Sequence, residues 1–147
     1  MNTQEDIVLK FTVTPTNPEA PLNLAVTLDG QTIWQGEQIT ESHRIQHVLP
    51  GEEGEHRLVF ELSGKLPSHT TVDADGNIVT DSIVNIHEVY IDDVSIDFIM
   101  PNIAVYEHDT NGTAALTQHK FYGHLGCNGR ASIIFTAPFY LWMLENL

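Results

Sequence analysis

The feature that most constrains this chain is alternation: apolar residues recur at every second position in run after run, the signature of half-buried strands. Ile7, Leu9, Phe11 and Val13 fall on one side of an opening strand. Leu22, Leu24, Val26 and Leu28 repeat the pattern and end at Asp29-Gly30, a two-residue hairpin turn into Gln31–Trp34. A strand over Arg44–Leu49 stops at Pro50-Gly51, and the acidic turn Glu52-Glu53-Gly54-Glu55 leads into His56–Leu62. Residues 83–91 and 94–99 carry Val84, Ile86, Val89, Ile91, Val94, Ile96 and Phe98, broken at Asp92-Asp93. The spacing slips by one between Ile86 and Val89, which predicts a β-bulge. Thr117–Tyr122 and Ala131–Thr136 read as a further hairpin around Asn128-Gly129. Before residue 138 no helical period is sustained. About ten short strands at close spacing predict an all-β fold, an antiparallel β-sandwich of jelly-roll-like type, with a short C-terminal helix after Pro138.

At 147 residues the chain is expected to form a single β-sandwich domain over 1–147, with a hairpin insert at 63–82 and an apolar segment at 138–147. Six basic against twenty acidic residues give a net charge of −14. That field repels phosphate backbones and anionic lipid, so neither nucleic acid nor a membrane is expected as a partner. Cations, basic protein surfaces and neutral sugars remain compatible with it. A single cysteine, Cys127, rules out an intramolecular disulfide framework and a Cys-rich zinc site. The N-terminus MNTQEDIVLK has no basic or apolar region of the secretory kind, which predicts synthesis in a cytoplasm with no signal peptide.

Oxygen-bearing side chains cluster in Asp73-Ala-Asp-Gly-Asn77 followed by Asp81. Carboxylates and amides at alternate positions are how Ca²⁺ collects oxygen ligands, so Asp73, Asp75, Asn77 and Asp81 form a candidate metal set and Ca²⁺ an optional cofactor. The same residues read as a tight hairpin turn at Asp75-Gly76 between strand-like flanks. Asp92, Asp93 and Asp97, with Glu88 upstream, offer paired carboxylates of the kind a glycosidase uses, yet they sit where the strand pattern breaks and read as turn residues. Of eight histidines, His43 and His47 are four apart, which on a strand places them on one face about 13 Å from each other. No His-Glu-x-x-His, Gly-x-Ser-x-Gly, Gly-x-Gly-x-x-Gly or Walker pattern occurs. Cys127 lies in a turn, Gly126-Cys-Asn-Gly129. No catalytic residue is assigned, and the chain is expected not to be an enzyme.

The C-terminal run carries Phe139, Tyr140, Leu141, Trp142, Met143, Leu144 and Leu147 and is apolar all round, whereas a surface helix keeps a polar face. Either it plugs one end of the sandwich or it anchors a partner. On the second reading Phe139, Tyr140, Trp142, Met143, Leu144 and Leu147 are partner-binding residues for other subunits of an assembly or for a second copy of the chain.

Two resemblances follow from particular runs. Leu24-Ala-Val-Thr-Leu-Asp-Gly-Gln-Thr-Ile33, Gly54-Glu-His-Arg-Leu-Val-Phe-Glu-Leu62 and Val84-Asn-Ile-His-Glu-Val-Tyr-Ile-Asp-Asp-Val-Ser-Ile96 resemble, in this order, the strands of small calcium-dependent, xylan-binding carbohydrate-binding modules. The insert Ser63–Asp81 departs from that pattern. This resemblance implies a jelly-roll fold and a glycan ligand, with Trp34, Tyr90 and Tyr106 as the rings outside the terminus on which a sugar would stack. The run Ser63–Asp81 and the ending Ala137–Leu147 are similar in style to small virion proteins of tailed bacteriophages. That second resemblance implies a non-enzymatic structural module, assembled in a host cytoplasm into a virion and docked through its apolar terminus. A host glycan is compatible with both. The virion role is the leading expectation, and carbohydrate binding the alternative.

Overall fold

The computed structural model describes residues 6–50, 54–109, 116–137 and 139–146. Its strands run β1 (Ile7–Pro15), β2 (Leu22–Leu28), β3 (Gln31–Ile39), β4 (His43–Leu49), β5 (Gly54–Ser63), β6 (Thr71–Val72), β7 (Ile78–Thr80), β8 (Val84–Ile91) and β9 (Val94–Ser95). A helical turn α1 (Met100–Ile103) precedes β10 (Ala104–His108), β11 (Thr117–Lys120), β12 (His124–Leu125) and β13 (Gly129–Ala137), and α2 (Phe139–Glu145) closes the chain. The first sheet has the order β12-β8-β1-β4 with β9 paired to β8, and the second the order β11-β10-β13-β5-β2-β3. Every pairing is antiparallel.

The alternating residues do what their period dictates. Leu9, Phe11 and Val13 from β1, Val84, Val89 and Ile91 from β8, and Leu58, Phe60 and Leu62 from β5 all point into one core. Phe11 and Phe60 meet edge to face across the two sheets, ring centroids 5.3 Å apart, which is the sandwich contact itself. The all-β sandwich with a short terminal helix is therefore what the chain forms.

Two turns show how local sequence fixes register. Asp29-Gly30 and Asp92-Asp93 join Leu28 to Gln31 and Ile91 to Val94, and both residues of each pair have positive φ, the backbone that matches strand twist in a two-residue hairpin. The slip between Ile86 and Val89 is a real bulge. Lys10 faces Tyr90 while Thr12 faces His87, so Glu88 is left over at φ 53°.

Two expectations are corrected. Thr117–Tyr122 and Ala131–Thr136 do not form a hairpin, because β10 lies between β11 and β13 and pairs with both. The 94–99 run is strand only at Val94–Ser95 and continues as a 3₁₀ turn at Asp97–Ile99. Of the two readings of the terminus, packing on the chain's own domain is seen for part of α2: the Phe139, Trp142 and Met143 side chains, named also as partner-binding candidates, lie in the core. Trp142 stacks on Phe139 and meets Phe135 of β13 edge on. A seven-residue helix gains stability from such burial and not from its own propensity. Leu144 stays exposed, as does Leu141 beside it, while the Tyr140 side chain and Leu147 lie outside the described residues.

Candidate functional site

Acidic side chains are the first place to look, and Asp73, Asp81, Asp92 and Asp97 accept backbone N–H groups. In the insert, β6 and β7 form a two-stranded sheet of their own. Asp73 Oδ1 accepts the N–H groups of Asp75 and Asn77, both at 2.9 Å, which is the tight turn the sequence allowed for. These bonds, led by the one from Asn77, hold the Asp73 carboxyl below the usual range despite some desolvation. Asp81 is engaged elsewhere: it pairs with the ammonium of Lys65, whose side chain is 0% exposed, and accepts from Thr70 Oγ1 and its neighbour's N–H on Ser82. Burial pushes the Asp81 carboxyl up, but Lys65, Thr70 and Ser82 outweigh it and the net shift is downward. Lys65 Nζ also donates to the Ser82 carbonyl.

Among the described residues no three His, Cys, Asp or Glu side chains gather as a metal-binding group. Calcium takes about six to eight oxygens. In the folded chain Asp81 pairs with a buried ammonium and Asp73 caps its own turn.

Asp92 Oδ1 accepts the Val8 N–H at 2.9 Å, and Asp93 meets the Lys10 ammonium at 3.3 Å. Asp97 has a more consequential task. Its two carboxylate oxygens take the N–H groups of Glu88 and Val89, each at 2.8 Å, and so clamp the bulge in β8.

That clamp shapes the outer face of the first sheet. Beside the bulge lies a cleft of about 400 Å³ bordered by Thr14, Asn85, His87, Tyr122 and His124, with Asp97 behind them. Ser42 Oγ donates to Thr14 Oγ1 at 3.1 Å, and Thr14 Oγ1 lies 2.8 Å from His87 Nε2. His124 Nδ1 is 2.6 Å from Asn85 Oδ1. A carbonyl oxygen only accepts, so Nδ1 carries the proton. In the neutral ring this leaves Nε2 as an acceptor, and the Asn85 amide keeps its two N–H donors.

The segment carrying Tyr122 and His124 is held by close backbone approach. Ile86 N–H donates to the Gly123 carbonyl at 2.7 Å, and Gly123 has φ 94°. A Cβ there would stand 2.8 Å from the Ile86 carbonyl oxygen, so glycine alone fits both the dihedral and the distance. On the other side, Phe121 is fully buried against Tyr106. Tyr122, between these two anchors, is 65% exposed and borders the cleft.

Of the three rings expected to meet sugar, Trp34 packs against the core. Tyr106 is buried with its hydroxyl bonded to the Cys127 backbone. Tyr90 alone presents itself on the outer face, 37% exposed. The sequence assigns no site role to Tyr122, Asn85, His87 or His124. The sole local hint was Gly123 between two polar-tipped rings in a strand-rich stretch.

Searches of protein-family models and of curated proteins find no match. Among solved structures, a selenomethionine form of vCBM60 aligns over 86% of this chain and 89% of its own, with a TM-score of 0.51 and 16% identity. It was solved in a study of a circular permutation linking two families of calcium-dependent carbohydrate-binding modules. A vCBM60 complex with galactobiose aligns over 86% and 96%, with a TM-score of 0.48 and 16% identity. At this identity the likeness is one of fold: an all-β sandwich of the kind those modules adopt. The virion reading finds no support in these comparisons.

Proposed function

We propose that the chain is a non-catalytic carbohydrate-binding module whose ligand sits on the outer face of the first sheet, in the cleft formed by Thr14, Asn85, His87, Tyr122 and His124. One observation carries this reading: an exposed tyrosine ring borders a set of hydrogen-bonding side chains already locked in place by one another. A sugar presents an apolar ring face and a rim of hydroxyls that both donate and accept. Tyr122 offers the first a surface, and the Asn85 amide and His124 Nε2 offer the second a donor and an acceptor side by side. Because strands carry Thr14, Asn85, His87 and His124, little ordering is left for binding to impose. The cleft carboxylate Asp97 is held on two backbone amides, so binding rather than acid–base chemistry is the role assigned here. The shared sandwich fold of vCBM60 makes glycans the ligand class to test first.

The test is isothermal titration of the full chain with glycans drawn from an array, in calcium and again in EDTA. Tyr122→Ala should weaken binding by at least about tenfold, the loss of one well-buried contact surface. The reading fails if no glycan binds in either buffer, or if Tyr122→Ala binds like the parent.

A further inference from the structure

A second cleft adjoins the first on the same sheet. It has a volume of about 360 Å³ and is bordered by Lys10, Thr12, Arg44, Gln46, Glu88 and Tyr90. The register sets the two in line along one face of the sheet. Thr14 pairs with Asn85 at the first cleft and Lys10 pairs with Tyr90 at the second, and Thr12 with His87 lies between them. Four residues of β1 separate the two ends, roughly 13 Å at the rise of a strand. An exposed tyrosine stands at each end, Tyr122 and Tyr90.

We infer that the outer face of the first sheet is an extended groove that takes an internal stretch of an oligosaccharide across both clefts, rather than one terminal sugar. This rests on the glycan reading of the first cleft. The span from Asn85 to Tyr90 exceeds a single sugar ring. Along it the polar groups are neutral or already paired: Thr12, Gln46, Lys10 against Asp93 at 3.3 Å, and Arg44 against Glu88 at 3.7 Å. No unpaired charge stands out, so the ligand class is a neutral, linear polysaccharide. The bulge at Glu88 brings two adjacent residues, His87 and Glu88, to the boundary between the clefts, and a regular strand would turn one of them inward.

Chain-length dependence tests this. The full chain is titrated with two- and four-residue oligosaccharides from xylan and from galactan. The tetrasaccharide of the preferred series should bind at least about tenfold more tightly than its disaccharide. Tyr90→Ala and, separately, Gln46→Ala should erase most of that gain and leave disaccharide binding unchanged, with circular dichroism confirming the fold. Equal affinity for two and four residues overturns the extended groove while the first cleft stands. So does a tetrasaccharide gain that survives both substitutions. Silence from both series, at every length, overturns the glycan reading and this inference with it.

Discussion

Replacing Asp81 with alanine strands a buried ammonium. The Lys65 side chain is 0% exposed and Asp81 24%, so solvent screens the pair little. In the folded chain Lys65 Nζ is shared between the Asp81 carboxylate and the Ser82 carbonyl, and the same carboxylate oxygen accepts from Thr70 and the Ser82 amide. Removing one partner of a buried pair costs about 3–5 kcal/mol, chiefly because the other charge stays buried without compensation. With a urea slope of about 1–3 kcal/mol per molar for a small domain, the unfolding midpoint should fall by roughly 2 M. Lys65→Met combined with Asp81→Ala removes both charges and should recover most of the loss, since an apolar replacement of a buried pair is often close to neutral. Equilibrium urea unfolding of the three variants decides the matter. The reasoning is refuted if Asp81→Ala costs less than about 1 kcal/mol, or if the double variant is worse than either single one. The pair also ties the start of the insert to its end, so hydrogen exchange across β6 and β7 should quicken in the single variant.

Trp142→Ala should destabilise the chain by about 3–5 kcal/mol without changing its mass in light scattering, whereas Leu144→Ala should cost less than about 1 kcal/mol, because one side chain is core and the other surface. Gly123→Ala should cost about 1–3 kcal/mol and disrupt glycan binding, as its methyl group would displace the segment that carries Tyr122 and His124; unchanged thermal unfolding and affinity would contradict this. At Asp29, burial raises the carboxyl, but the hydrogen bond to His56 and the Arg57 N–H outweigh it, and at Asp81 the Lys65 group prevails in the same way. A carboxyl lowered on folding stabilises above its unfolded value of about 3.9, and that contribution is lost as pH falls through the folded value. Stability should therefore drop below about pH 4, and Asp81→Asn should flatten part of that slope in urea titrations from pH 7 to pH 2.

Most of the sandwich was legible because burial on one face writes itself into a two-residue period. The bulge at Glu88 was visible for the same reason, since a single slip between Ile86 and Val89 has no other cheap explanation. Pairing order was not legible: nothing in Thr117–Tyr122 or Ala131–Thr136 tells that β10 will come between them, because backbone ladders carry no side-chain code. The terminal helix reads in sequence as core or as anchor, and the structure adds the contacts of Phe139 and Trp142 with Phe135. The candidate cleft was hidden more deeply. Thr14, Asn85, His87 and His124 are polar residues on the solvent side of strands, and in sequence they look like any solvated face. They come together only because β1, β8 and β12 lie side by side and a close-approaching glycine holds the segment that carries Tyr122.

The central claim is that a sugar binds on the outer face of the first sheet. It is tested most directly by ¹H–¹⁵N correlation spectra of the full chain titrated with xylotetraose and with galactotetraose. The expected result is a contiguous set of shifting amides in β1, in β8 around the bulge and in residues 122–124, with the 73–81 hairpin and α2 silent. Shifts confined to that hairpin or to α2, with β8 unmoved at saturation, would contradict it.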